Sequence, residues 1–359
     1  MRAMLLAAGL GRRLAPLTDR YPKPTIPVLG RPMLLQQLAR LERAGCDRVV
    51  INEHHLGQVI RQTVARSEYV DGPMEILFSH EPVLLGTAGG LRNVADQLRG
   101  DGPILVLNAD FVSDIDIRWA YDAHMDSDAA ATLVTGPRRE GYSNLDVDGL
   151  GRVHSIAGEP PTAEGVSCEQ EMFTGCHVLD ESLLERIPFG MPCEIVPTLY
   201  RPLAAEGRLG SVLHRGFWWD VGSPRAYLDG SLQLMAALAE QELEIGEHDG
   251  IHHEEDALVC RGAGADVDST ATLRGQVAVG FATRVGEESF VENSILMPET
   301  WVGPRCRLTR CVVTTGVELP AGFEMTDGWI VADDGIPPAD RGNWRQEGTL
   351  AIRSLAPET

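Results

Sequence analysis

Residues 5–32 read LLAAGLGRRLAPLTDRYPKPTIPVLGRP and hold the most chemically pointed stretch of the chain. An apolar run ending at Ala8 breaks into Gly9-Leu10-Gly11, and Arg12 and Arg13 follow at once. Pro16, Pro22, Pro24 and Pro27 then stiffen the backbone, with Lys23 between two of them. Lys23 is the only lysine: of 31 basic residues the other 30 are arginine. Arginine offers a planar fork and lysine a compact, strongly hydrated point charge, so a site that needs the point charge explains the exception. Glycines let backbone N–H groups approach oxyanions, and the cations beside them neutralise charge; together they make a phosphate cradle. The dinucleotide fingerprint GxGxxG is only partial, because Leu14 stands where its third glycine would be, and the P-loop pattern GxxxxGK[ST] is absent. Two carboxylates stand in apolar company: Asp110 after the PILVLN run, and Asp220 between Trp219 and Val221. Carboxylates so placed are paired with a cation or a metal; a helix cap or a buried ion pair is the structural alternative for each.

The surrounding pattern supplies elements to position these groups. Residues 2–8, 47–52, 74–79 and 103–108 read as short apolar strands. Residues 32–44, 56–66 and 87–98 read as helices between them, the first with Leu34, Leu35, Leu38 and Leu41 at helical spacing. Strands alternating with helices predict a mostly parallel sheet covered on both faces, a Rossmann-like α/β fold. Ligands on such sheets bind beyond the carboxyl ends of the strands, and Gly9, Glu81 and Asp110 each fall just past a strand end. From residue 131 the pattern turns mixed, with strands expected at 131–135, 144–147, 176–179 and 218–221 and an acidic surface loop at 157–171, near the acceptor. A helix is expected over 224–244, followed by a polar linker, GEHDGIHHEED. His248, His252 and His253 lie among acids there; a solvated linker is the plainer reading than a metal site.

Beyond the linker, Val267, Leu273, Val279, Val285 and Val291 recur every six residues, Met297 extends the series, and Val302 and Leu308 keep the step after a one-residue slip. A period of six fits neither helix nor plain strand; it predicts a hexapeptide parallel β-helix, each apolar residue pointing into a prism. The segment has no histidine and no lysine. It is therefore read as an assembly or regulatory element with open ends, and a homo-oligomer through this domain is expected. Residues 333–359 have little pattern, although Trp329, Trp344 and Leu350 could pack them onto the prism.

Composition limits the partners. The chain has 359 residues, 43% hydrophobic and 23% charged, with a net charge of −21, which argues against general nucleic-acid binding. Against that field, residues 1–31 hold six basic residues and one acid, and would steer an anion there. Seven scattered cysteines without a CxxC pair point to free thiols in a reducing cytoplasm. No signal peptide is read at the start, and no apolar run reaches the ~18 residues of a membrane helix.

The string GxGxRLxPLTxxxPKPxxPV, with Glu81, Gly86-Thr87-Ala88-Gly89, Asn108-Ala109-Asp110 and Trp219-Asp220-Val221-Gly222, resembles the signature of the sugar-nucleotide pyrophosphorylases, the sugar-1-phosphate nucleotidyltransferases. The resemblance implies a nucleotidyltransferase domain over 1–230, a helix and linker over 231–256, a left-handed β-helix over 257–331 and a tail over 332–359. It implies attack by a sugar 1-phosphate oxygen on the α-phosphorus of a nucleoside triphosphate, with pyrophosphate leaving. Arg13 is then expected at the pyrophosphate and Lys23 at the α-phosphate and the incoming sugar phosphate, while Arg12 reads as a solvated loop charge. Leu6, Ala8, Gly9 and Gly11, with Glu81, Gly86, Thr87 and Ala88, would bind the nucleotide; Thr87 could also cap a helix. Asp110 and Asp220 match the family's magnesium acids. On the sugar side, Asn144, Thr174 and Gly175 are candidates, with Glu159 in a Gly-Glu-Pro turn where the family carries Glu-Lys-Pro. The LGTAG string looks most like mannose-1-phosphate guanylyltransferases, which implies GTP and a mannose- or heptose-like 1-phosphate. The segment from Ile51-Asn52 to Leu56-Gly57 looks also like uridylyltransferases acting on N-acetylmuramate 1-phosphate. A non-catalytic regulatory subunit and a β-helix acetyltransferase are the remaining readings. Intact Arg13, Lys23, Asp110 and Asp220 argue against the first, and the absence of histidine after His253 against the second.

Overall fold

The computed structural model describes residues 1–100, 102–240, 250–333 and 344–355. Contacts group the chain into two compact units. The first joins Met1–Leu10 to Gln37–Trp218, and the second joins Gly11–Gln36 to Trp219–Thr359. The segment read from the sequence as a phosphate cradle is thus grouped with the C-terminal part of the chain.

The first unit is built on a nine-stranded sheet. Its strands are β1 (Arg2–Leu6), β2 (Arg48–Glu53), β3 (Glu75–His80), β4 (Ile104–Asn108), β5 (Ala131–Pro137), β6 (Asn144–Asp148), β7 (Val153–Ile156), β8 (Cys168–Leu179) and β9 (Leu209–Leu213). The order β7-β6-β8-β4-β1-β2-β3 keeps β4, β1, β2 and β3 parallel, and β5 joins β9 to β8. The parallel strands are continuous apolar runs because both faces are covered: Ala3, Met4, Leu5, Val49, Val50, Ile51, Leu105 and Val106 are all fully buried. The long β8 runs antiparallel to β4, β5 and β6, which makes the sheet mixed where the sequence pattern turned mixed. Helices α1 (Met33–Arg43), α2 (Gly57–Ala65) and α3 (Gly86–Asn93) follow the apolar spacing, and Leu34, Leu38 and Leu41 are fully buried. The helix expected over 87–98 is broken: α3 stops at Asn93, and a separate turn, Ala95–Leu98, follows.

In the second unit the six-residue rhythm closes into a left-handed parallel β-helix. Three columns of inward residues stack along it. One runs Val267, Val285, Val302, Leu319, and the second Leu273, Val291, Leu308, Met325. The third runs Val279, Leu296, Val313, Ile330. The third column corrects the expected phase: Leu296, not Met297, carries it. The slip falls earlier, at Asn293, whose φ of 46° turns the corner one residue sooner. Gly275, Asn293, Arg310 and Asp327 stack at this corner in the left-handed region, a conformation that Gly, Asn and Asp tolerate best. Asn293 also accepts the Gln276 amide at 3.0 Å from the turn below.

The ends of this column of strands are covered within the unit. The expected polar linker is in part a strand, Gly250–Glu254, antiparallel to Ala257–Arg261. At the other end the patternless tail forms a hairpin, Arg345–Glu347 and Leu350–Ser354, antiparallel to Gly328–Ala332. Leu350 is buried and Trp344 half-buried, so the open ends that the repeat alone suggested are partnered along this face. Helix α4 (Pro224–Ala239) packs against the same face. His252 and His253 lie on the covering strand and His248 lies outside the described residues. Among the described residues no three His, Cys, Asp or Glu side chains are grouped to hold a metal.

Candidate active site

In the first unit, the carboxyl ends of the parallel strands carry a connected polar rim. Asn52, at the end of β2, accepts the Ala7 amide at 2.7 Å and donates to Glu81 Oε1 at 2.8 Å. The other oxygen of Glu81 accepts the Leu85 amide at 2.9 Å, and Glu81 is 1% exposed. Glu81 therefore ties the loop after β1 to the loop that opens α3. Gly90 is small for the same reason: a Cβ there would lie 2.8 Å from Glu81 Oε1. Leu6 gives its carbonyl to the Ala109 amide at 3.0 Å, which joins the ends of β1 and β4. Ala8 is buried, whereas Gly9 is exposed, with no heavy atom within 4 Å of where its Cβ would stand.

Gly86 has φ +71°, and a Cβ there would meet the Cys193 carbonyl at 2.6 Å. Ala88 is fully buried and donates its amide to that carbonyl at 3.0 Å. The Thr87 hydroxyl donates to Glu194 at 2.7 Å and accepts the Ile195 amide at 2.8 Å. It thus bridges across the chain to Glu194, and α3 has no side-chain hydrogen-bond cap. Asp110 lies two residues past the end of β4 and is half-buried. Gly175 has φ +83°, and a Cβ on it would lie 2.7 Å from Asn108 Nδ2, so glycine lets β8 pass the end of β4. Thr174 is spent on shape: its hydroxyl donates to the Val134 carbonyl at 2.6 Å, and its carbonyl accepts the Trp218 indole at 2.9 Å. Asn144 holds the next turn through its carbonyl, which accepts the Ala157 amide at 2.8 Å. The Glu159 carboxylate pairs with Arg201 at 2.5 Å.

The second unit holds the cations. Gly11, at φ +60°, packs where a Cβ would touch Thr18 at 2.8 Å and the Lys23 Cβ at 3.2 Å, and Thr18 donates to the Gly11 carbonyl at 3.1 Å. Lys23 opens a short turn, Lys23–Thr25, and is 7% exposed. Its ammonium lies 3.0 Å from Asp220 Oδ1, while Arg13 stands 4.0 Å from Asp220 Oδ2 with most of its side chain in solvent. A Cβ on Gly222 would lie 2.7 Å from Asp220 and 2.8 Å from Arg13, which accounts for the glycine after Asp220-Val221. The three expected phosphate and metal groups Arg13, Lys23 and Asp220 are thus one cluster, with Asp220 in an ion pair.

Comparison with known proteins identifies the family. The Nucleotidyl transferase family profile matches residues 2–237. The chain belongs to the nucleotidyl transferase family. A second profile, the GlmU-like C-terminal hexapeptide, matches residues 245–328 of this nucleotidyltransferase, over the prism. The chain is 29% identical to a mannose-1-phosphate guanylyltransferase of Mycobacterium tuberculosis, over 86% of this chain and 83% of that one. It is 25% identical to a UTP–glucose-1-phosphate uridylyltransferase of Synechocystis sp., over 93% of this chain and 94% of that one. Among solved structures, HddC from Yersinia pseudotuberculosis, complexed with GMP-PN, has a TM-score of 0.53 at 22% identity. It covers 65% of this chain and 99% of its own, a likeness of fold.

The roles of three residues of this nucleotidyltransferase escaped the sequence reading. Asn52 left a trace, a polar residue closing an apolar strand as Asn108 does. Glu194 left none, because its partner Thr87 is 107 residues away. Glu171, on β8, is 7% exposed with one carboxylate oxygen unpartnered, and its burial raises its pKa. In the linear chain it sits among Cys168, Glu169 and Gln170 and looks like surface.

Proposed function

We propose that this enzyme, a nucleotidyltransferase of the sugar-1-phosphate class, transfers a nucleoside monophosphate from GTP to a mannose- or heptose-like sugar 1-phosphate and releases pyrophosphate. The observation that carries the phosphate chemistry is the Lys23 ammonium, 93% buried as a residue and 3.0 Å from Asp220, in a Gly- and Pro-stiffened loop with Arg13 beside it. The attacking sugar phosphate oxygen is already an anion, so no general base is needed. Catalysis is positioning plus neutralisation of charge. Arg13, with most of its side chain in solvent, takes the leaving pyrophosphate. Lys23, held in place, takes the α-phosphate and the incoming sugar phosphate. Asn52 and Glu81 fix the backbone of residues 6–9 and 85–88, whose polar groups read the base. Asn144, Glu159 and the backbone at Thr174 and Gly175 form the acceptor side.

Magnesium fits the donors present. Asp110 and Asp220 each offer hard carboxylate oxygens, the donor type that Mg²⁺ takes singly or in pairs beside substrate phosphates. When bound, the ion would neutralise triphosphate charge. GTP is favoured by the LGTAG string and by the guanylyltransferase relative. A second reading is UTP with a glucose- or N-acetylmuramate-type 1-phosphate, favoured by the uridylyltransferase relative that aligns along almost the whole chain. Self-association through the prism is the expected assembly, supported by Phe281 and Trp301, which are 54% and 49% exposed on it. The deciding experiment incubates the protein with four triphosphates, a panel of sugar 1-phosphates and Mg²⁺, and identifies the nucleotide sugar by mass. GDP-hexose or GDP-heptose is expected, and is lost on chelation. UDP-sugar alone selects the second reading, and absence of any nucleotide sugar overturns both. Sedimentation of the same sample reports the assembly.

A further inference from the structure

We infer that the β-helix positions Lys23: through α4 and Tyr227 it holds both the backbone that carries this lysine and the carboxylate that pairs with it. The inference rests on the role given to Lys23 above, and all the groups it uses lie in the second unit.

The chain after Lys23 is rigid from within. The Ile26 amide donates to the Lys23 carbonyl at 3.1 Å, and Pro27–Val28 pairs antiparallel with Arg31–Pro32. Gln36 Nε2 donates to the carbonyls of Val28 and Arg31, each at 3.1 Å, and locks this hairpin. A rigid hairpin transmits any displacement to Lys23, so what holds the hairpin matters. The Tyr227 hydroxyl donates to the Pro27 carbonyl at 2.7 Å. Tyr227 is 2% exposed, and its ring meets fully buried Trp329 of the prism edge-on, with centroids 6.3 Å apart. Leu29 and Gly30 of the hairpin and Cys260, Ala278, Ile295 and Met297 of the prism line a gap of only about 20 Å³, room for about one water. Asp220 is tethered to the same helix: Ser223, three residues on, caps α4 by accepting the Ala226 amide at 3.2 Å. The helix is pinned in turn. Arg310 bridges Asp229 of α4 at 3.0 Å and Asp327 of the prism at 2.9 Å.

Lys23 is the only lysine, so its amine can be followed directly. The test uses the full chain, as wild type, Tyr227→Phe and Tyr200→Phe. The last removes an equally buried hydroxyl in the first unit, one bonded to His177. An amine-reactive reagent is applied at substoichiometric dose and Lys23 acylation is timed by peptide mass. In parallel, kcat and both KM values are measured. Losing one hydrogen bond should open the hairpin enough to raise Lys23 labelling about fivefold. It should lower kcat by a similar factor, with triphosphate KM within about twofold. Tyr200→Phe should leave labelling at the wild-type rate. Labelling in Tyr227→Phe that matches wild type, or an equal rise in Tyr200→Phe, overturns the inference. Because labelling needs no turnover, this result stands apart from the identity of the substrates: an inactive wild type counts against the proposed function only.

Discussion

The sheet unit and the prism bury polar groups in opposite ways. In the sheet unit each buried polar group is a single solution. Arg40 is 6% exposed and donates to Gln37 and to the Ile115 carbonyl, each at 2.8 Å, and burial lowers its pKa to about 10. His177 pairs with the Tyr200 hydroxyl and is held near a pKa of about 3 by burial. In the prism the buried hydroxyls repeat. Thr283, Ser289 and Thr300 sit at corners and donate to main-chain carbonyls at 2.7–2.9 Å, turn after turn. A repeated solution spreads any loss over neighbouring turns, whereas a single solution has no substitute. Chemistry that depends on one atom's position, as proposed for Lys23 and Asp220, therefore belongs with the single solutions, even though these two residues lie in the unit that contains the prism.

The sharpest test of that claim is Lys23→Arg. The lysine is nearly buried and its Cβ lies against Gly11, so a longer planar fork cannot take its place without moving the loop. Turnover should fall on the order of a hundredfold, as for a displacement of about 1 Å in the reacting groups. Near-wild-type turnover by Lys23→Arg would remove the point-charge argument.

The two acids divide the same comparison further. Asp220→Asn leaves a largely buried ammonium without its carboxylate, which should cost about 2–3 kcal/mol of stability, read as a lowered Tm. It should also raise the Mg²⁺ concentration at half-maximal rate. Asp110→Asn should raise that concentration as well. An unchanged Mg²⁺ midpoint in either variant would reassign that aspartate to structure.

The period-six series, the strand-and-helix alternation and the family resemblance of the Gly-, Arg- and Pro-rich loop were all legible in the linear chain, because each is written in local spacing. What was not legible depends on distant partners. The contact of Thr87 with Glu194, the bridging role of Asn52 and the hold of Tyr227 on Pro27 join residues 45 to 200 positions apart. The corner phase was misplaced by one residue because Leu296 and Met297 are both apolar and both buried, and only the left-handed turn at Asn293 decides between them. The cover over the prism was missed because short edge strands rich in polar residues, such as Gly250–Glu254, read as loop.

Within the prism, a column residue and a corner residue should differ. Val291→Ala removes two methyl groups from a fully buried column and should cost about 2 kcal/mol. Asn293→Gly keeps the left-handed corner and loses one hydrogen bond, so it should stay within about 1 kcal/mol of wild type. Equal losses in denaturant titrations would mean that corners, not columns, carry the repeat.

The smallest effect is in pH. His177 is fully enclosed: the Tyr200 hydroxyl faces Nδ1, Phe173 and Tyr200 pack on the ring, and Nε2 has no partner. Burial holds the folded imidazole neutral down to a pKa of about 3, whereas the unfolded chain takes up its proton near 6.5. The unfolded state therefore binds more protons as pH falls below that value, and stability present at pH 7 and above is lost on acidification. Between pH 7 and 5.5 the loss from this group should be about 1 kcal/mol. Residues 257–331 have no histidine and should contribute nothing of this kind in the same window. His177→Gln will be less stable at every pH, so its absolute stability is not the readout. The informative quantity is the slope of unfolding free energy against pH, which should flatten by about that amount relative to wild type. If the slope is unchanged, the acid sensitivity of the sheet unit lies in other groups and the contrast drawn from His177 fails.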